Sequence, residues 1–162
     1  MTHPILINGE WVASAATETF QATNPATEET LPGEFPLSPW SEIDKAIQAA
    51  SDAAREMRGW PGTRFAEFLN AYADEIEART DELVAAAHAE TALPVSPRLK
   101  DGELPRPTNQ LRQAAVAAKT DSWRCPIIDT ATGIRSVLGP IGPVVVFGPN
   151  NFPFAFNGIA GG

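Results

Sequence analysis

The chain has 162 residues, enough for one domain with a real core, a hydrophobic fraction of 43% and a net charge of −8. That charge argues against nucleic acid or an anionic membrane as a partner, since both call for basic patches. No stretch is apolar enough to span a membrane, Met1-Thr2-His3-Pro4 lacks the features of a signal peptide, and one cysteine offers no disulfide framework, so a reducing, cytoplasmic location is expected.

In chain order, Ile5 to Ile7, Asn8-Gly9 and Trp11-Val12 give the signal of a type I′ hairpin. Thr19 to Thr23 and Thr30 to Leu37 are weaker strand candidates joined by the Asn24-Pro25 turn. Ser41-Glu-Ile-Asp44 has the pattern of a capping box, and Ile43, Ala46, Ile47, Ala50, Ala54 and Met57 follow at helical spacing. Gly59-Trp-Pro-Gly62 breaks that helix. Thr63 is expected to cap the next, with Phe65, Phe68, Leu69, Tyr72 and Ile76 on its inner face. A third helix starts at Thr80, with Asp81 and Glu82 in its first turn and Leu83, Val84 and Ala87 facing inward. A fourth is expected over about 108–119.

Cys125 to Ile128 and Ile134 to Leu138, joined by Asp129-Thr-Ala-Thr-Gly133, suit a hairpin. The apolar run Val144 to Phe147, held between Pro143 and Gly148-Pro149, reads as a strand buried on both faces of a parallel sheet. Phe154 to Ile159 has the composition of a helix start, with Pro153 suited to its first turn. Strand, tight polar loop and helix open a nucleotide-binding βαβ unit, which puts Asn150 and Asn151 in the crevice beyond the strand's carboxyl end.

Pro149-Asn150-Asn151-Phe152-Pro153, preceded by Gly139-Pro-Ile-Gly-Pro-Val-Val-Val-Phe-Gly148, resembles the aldehyde dehydrogenase superfamily. Asn8-Gly9-Glu10-Trp11 is similar to the family's N-terminal hairpin, and Asn24-Pro25-Ala26-Thr27 to its Asn-Pro-Ala-Thr turn. Glu90-Thr91-Ala92-Leu93-Pro94, Arg98-Leu99 and Gln110-Leu111-Arg112 resemble the branch containing α-ketoglutarate semialdehyde dehydrogenases, many of them NADP-linked. The sequence departs from the family at Asn150, where many members carry Trp, and at Glu29, where the turn usually has Gly.

Asn151 is the residue on which the resemblance bears most. The residues alone favour a helix cap there, a role asparagine fills well. The resemblance implies instead that its side-chain N–H donates to the oxyanion formed when a cysteine thiolate attacks an aldehyde. Phe147, Gly148, Pro149 and Asn150 are the expected cofactor-side residues, with NAD or NADP as cofactor and NADP favoured by the branch; an ordinary turn is the other reading. The Gly-x-Gly-x-x-Gly pattern is absent. Cys125, the only thiol, lies on a hairpin beside Pro126 and reads as incidental, since the family's nucleophile lies far downstream. His3 and His88 are too separate to make a metal site.

The resemblance implies an α/β fold: the incomplete N-terminal part of a Rossmann-like cofactor domain, with a helical layer over 1–122, an oligomerisation hairpin over 123–139 and the first strand, loop and helix start over 140–162. The expected function is oxidation of an aldehyde, in this branch an oxo-acid semialdehyde, to a carboxylate through a thioester, by a homo-oligomer when full length. Family members are several times longer, so the chain is expected to be a truncated N-terminal piece, inactive alone for want of nucleophile and base. The rival reading is a stand-alone oligomerisation module without chemistry.

Overall fold

The computed structural model describes residues 1–156. Strands β1 (Ile5–Ile7) and β2 (Glu10–Val12) pair antiparallel in the register Ile5 to Val12, Leu6 to Trp11 and Ile7 to Glu10. Asn8 and Gly9 both take positive φ, at 53° and 81°, the pair of left-handed residues that a type I′ turn requires. Strands β3 (Thr19–Phe20) and β4 (Phe35–Pro36) pair antiparallel, and an isolated bridge joins Thr23 to Thr30, so both weaker candidates belong to one interrupted ribbon. The Asn24 side chain closes its turn by accepting the Ala26 N–H at 2.9 Å.

Helix α1 spans Trp40–Met57 and follows Pro39, without a side-chain cap. The expected capping box does not form, because the helix starts before Ser41 and places that residue inside its first turn. The Glu42 carboxylate accepts the Ser14 hydroxyl and the Ala15 N–H, each at 2.6 Å, tying the segment after β2 to the helix. Helix α2 (Gly62–Ala78) likewise starts before Thr63, with Pro61 preceding it. Its buried face follows the expected one at Leu69, Tyr72 and Ile76 but not at Phe68. Ala66, Ala73 and Ile76 are buried, with Leu69 partly so, while Phe68 is 65% exposed. Small side chains on that stripe let α2 lie close along α4 (Pro105–Thr120), which buries Leu111 and Ala115.

Helix α3 (Thr80–Thr91) buries Val84 and Ala87, with Leu83 partly buried, as its spacing predicts. Between α3 and α4, Val95–Glu103 winds widely, with the Leu99 N–H reaching the Pro94 carbonyl at 3.1 Å and the Leu104 N–H reaching that of Leu99 at 2.9 Å. Leu99 and Leu104 enter the core with Ala73, Ile76, Val84, Ala87, Leu111 and Phe154. Helix α4 begins at Pro105, ahead of the expected start, because a first-turn residue needs no N–H bond. Arg112 on α4 donates to Asp74 and Glu77 of α2, both at 2.8 Å.

Strands β5 (Ile127–Ile128) and β6 (Arg135–Ser136) form the expected hairpin. Asp129 shapes its loop by accepting the Ala131 N–H at 2.9 Å and the Thr132 hydroxyl at 2.6 Å. Ile127, Ile128 and Ile134 on this hairpin are each more than 60% exposed.

The run Val144 to Phe147 is not a strand in this structure. Among the described residues it has no sheet partner, and Val144, Val145 and Phe147 are 62%, 66% and 92% exposed. The local composition suits a strand, but a parallel strand acquires its ladder only from neighbours. The segment instead borders an apolar cavity of about 410 Å³ between α1 and the start of α2, lined by Ala50, Ala54, Met57, Phe65, Pro143 and Val144. Asn150 to Ala155 follow as turns; of the helix expected over Phe154 to Ile159, residues 154–156 are turn and bend, and 157–159 lie outside the described residues.

Candidate active-site loop

The loop that carries Asn151 is held by a side chain that no local sequence pattern marks. Glu103, at the end of the wound segment, is 0% exposed. Its Oε1 accepts the backbone N–H of Phe154 at 2.8 Å and of Ala155 at 3.2 Å. Its Oε2 lies 3.7 Å from Nη2 of Arg98 and has no hydrogen-bond partner among the described residues. A carboxylate taken out of water is costly unless donors and a counter-charge surround it. Here two N–H groups and a guanidinium take that part.

Arg98 grips the other end of the loop. Its Nη2 donates to the Asn151 carbonyl oxygen at 2.8 Å, and its guanidinium sits 4.4 Å from the centre of the Phe152 ring. Phe152 meets Phe156 edge-on at 4.9 Å, and Phe154 beneath them is buried in the core. The loop is thus pinned at residues 151, 154 and 155 by main-chain contacts.

The Asn151 side chain itself is exposed and makes no hydrogen bond among the described residues, so it caps none of the turns that follow. Phe147, Gly148, Pro149 and Asn150 are exposed as well, and none of them lines a described cavity. These four residues do not by themselves enclose a dinucleotide; they offer one open, exposed edge. Cys125 is exposed on the far hairpin, where its thiol approaches only the Ser122 carbonyl, at 3.7 Å. Among the described residues no group of three or more His, Cys, Asp or Glu side chains is placed to hold a metal ion, and no helix is long and apolar enough to cross a membrane.

Glu103 could not have been found from local pattern, because its partners lie 51 and 52 residues away. Arg98 is legible in the sequence only through its likeness to one branch of the family.

Comparison with known proteins bears on the whole chain. Residues 11–159 match the sequence model of the aldehyde dehydrogenase family. α-Ketoglutaric semialdehyde dehydrogenase 2 of Azospirillum brasilense is 38% identical over 100% of this chain and 32% of its own length. The α-ketoglutaric semialdehyde dehydrogenase of Acinetobacter baylyi is 35% identical over 96% of this chain and 31% of its own length. The chain therefore spans about a third of the curated relatives it matches. Among solved structures, the NADP-dependent glyceraldehyde-3-phosphate dehydrogenase of Bacillus halodurans C-125, complexed with NADP, superposes with a TM-score of 0.65 at 31% identity, covering 72% of this chain and 24% of that one. With helices, hairpins and loop arranged as in a part of that fold, the chain belongs to the aldehyde dehydrogenase family.

Proposed function

We propose that this chain is the N-terminal part of an NAD(P)-dependent aldehyde dehydrogenase that oxidises an aldehyde to a carboxylate, and that Asn151 is its oxyanion donor. The observation that carries the reading is the Asn151 loop: the main chain is pinned by Arg98 and Glu103 while the side-chain amide is left free. A neutral N–H donor on a fixed backbone can face a developing negative charge without reorganising. The aldehyde oxygen gains that charge when a thiolate from elsewhere in the enzyme attacks its carbon, on the way to a thioester. Asn151 then stabilises the tetrahedral species more than the planar aldehyde.

The dinucleotide supplies the hydride acceptor when bound, with Phe147, Gly148, Pro149 and Asn150 forming one edge of its site. NADP is favoured over NAD, in keeping with the NADP-complexed structural relative, and an oxo-acid semialdehyde is the favoured substrate, in keeping with the two curated relatives. Residues 1–122 form the helical layer, 140–162 open the Rossmann-like part, and the 123–139 hairpin joins subunits of a homo-oligomer. The exposed isoleucines of that hairpin support the last assignment.

The experiment is steady-state kinetics on the full-length enzyme. Asn151→Ala should lower kcat about 10²–10³-fold, the usual effect of losing one oxyanion donor, with little change in cofactor KM. Cys125→Ser should leave activity nearly intact. An unchanged kcat in Asn151→Ala, with chemistry rate-limiting, removes the donor role.

A further inference from the structure

We propose that Arg98 and Glu103 are positioning residues for Asn151, acting through the main chain of the 151–155 loop. The inference rests on the donor reading above and adds the machinery that aims the donor. Three hydrogen bonds hold this loop from a segment about fifty residues earlier: Arg98 Nη2 to the Asn151 carbonyl at 2.8 Å, and the Phe154 and Ala155 N–H groups to Glu103 Oε1 at 2.8 and 3.2 Å. They bracket the turn at both ends, and Arg98 covers its middle by lying over Phe152. Immediately before it, Phe147 to Asn150 are exposed, so packing does not fix the chain on that side.

The aim of a catalytic donor is sensitive to such support, since a displacement of about 1 Å costs on the order of 10²-fold in rate. Arg98 fixes the peptide plane that carries the Asn151 carbonyl. Glu103 fixes the two N–H groups that close the turn, and its second oxygen faces the guanidinium at 3.7 Å. The two side chains therefore form one clasp. Glu103→Gln keeps an oxygen for the two N–H groups but turns an amide NH₂ toward a cation. Arg98→Met keeps the bulk over Phe152 but removes the donor to Asn151.

Two measurements on the full-length enzyme test this. Arg98→Met should lower kcat about 10–10²-fold with cofactor KM little changed, Arg98→Lys should recover part of that loss, and Arg98→Met should cost nothing further in an Asn151→Ala background. Amide exchange of the 152–156 peptide, read by mass spectrometry without substrate or cofactor, should quicken in both Arg98→Met and Glu103→Gln. A full multiplicative loss in the double variant shows that Arg98 does not act through Asn151, and unchanged exchange in both single variants shows that there is no clasp; either overturns the proposal. If Asn151→Ala leaves kcat intact, the donor reading falls and the positioning role with it, and quickened exchange then marks the clasp as structural only. Should Glu103→Gln fail to fold, the partly exposed Arg98 still decides the matter.

Discussion

Gly62 at the start of α2 lies against the backbone of Ala118 near the end of α4, so closely that a Cβ at 62 would overlap the Ala118 carbonyl oxygen. The neighbour is main chain within a helix and cannot swing aside as a side chain could. Gly62→Ala should therefore destabilise the protein by about 1–3 kcal/mol, read as a lower denaturant midpoint. Gly59→Ala is the control, because a Cβ there would meet only the Glu56 carbonyl oxygen, at 4.0 Å. Equal midpoints for the two variants would show that the α2–α4 contact yields.

The tie between Glu42 and the Ser14-Ala15 segment should weaken in acid. The Ala15 N–H first, and the Ser14 hydroxyl next, hold the Glu42 carboxyl below its ordinary value of 4.5. A depressed folded-state pKa means a stabilisation present in full above the unfolded value and lost as pH falls through the folded one. Lys100 depresses Asp81 in the same sense, so acid weakens more than one contact. The Glu42 share is isolated by difference: below about pH 4.5 the gap in stability between wild type and Glu42→Gln should shrink. A gap that stays constant from pH 6 to pH 3, on the order of the range where carboxylates titrate, would remove Glu42 from the account.

Lysines at positions 127 and 137 should prevent the proposed self-association through the β5–β6 hairpin in the full-length enzyme. Ile127 on β5 and Val137 just after β6 are 63% and 53% exposed, where desolvation of a charge would oppose association. Sedimentation velocity should show a smaller species for Ile127→Lys with Val137→Lys, and an unchanged species would place the interface elsewhere.

Residues 1–162 expressed alone should aggregate, melt broadly and bind no NAD(P). Val144, Val145 and Phe147 present an apolar, β-prone run to solvent, which favours association between chains. A sharp cooperative melt with micromolar cofactor affinity by calorimetry would show that the piece is a complete domain.

Legibility in the sequence followed the range of the forces involved. Asn8-Gly9 announced its turn because both positive φ values are local needs. The third helix was readable, down to Val84 and Ala87, because its inner face is a simple periodic stripe. The inner face of α2 was misjudged at Phe68, since the closest helix contact there selects alanine over bulk. Ser41 does not cap α1 because the helix already starts at Trp40, behind Pro39, and the tie of Glu42 to Ser14 and Ala15, 28 and 27 residues away, is a tertiary contact with no local signal. Asn151 stands out only by likeness to a family, whereas the hold of Glu103 on its loop is a tertiary contact that leaves no periodic trace.

Because Arg98 and Glu103 take hold of peptide groups, the mount is separate from the tool it carries. Side chains at 150 and 151 can be exchanged without altering any atom that the clasp touches. The loop can thus explore new chemistry at those positions, as with Asn150 here, while its shape is inherited unchanged. The constraint falls instead on 154 and 155, where proline would delete the N–H that Glu103 receives. Side-chain variation at 150 and 151 should therefore leave the mount intact, whereas an imino acid at 154 or 155 should not.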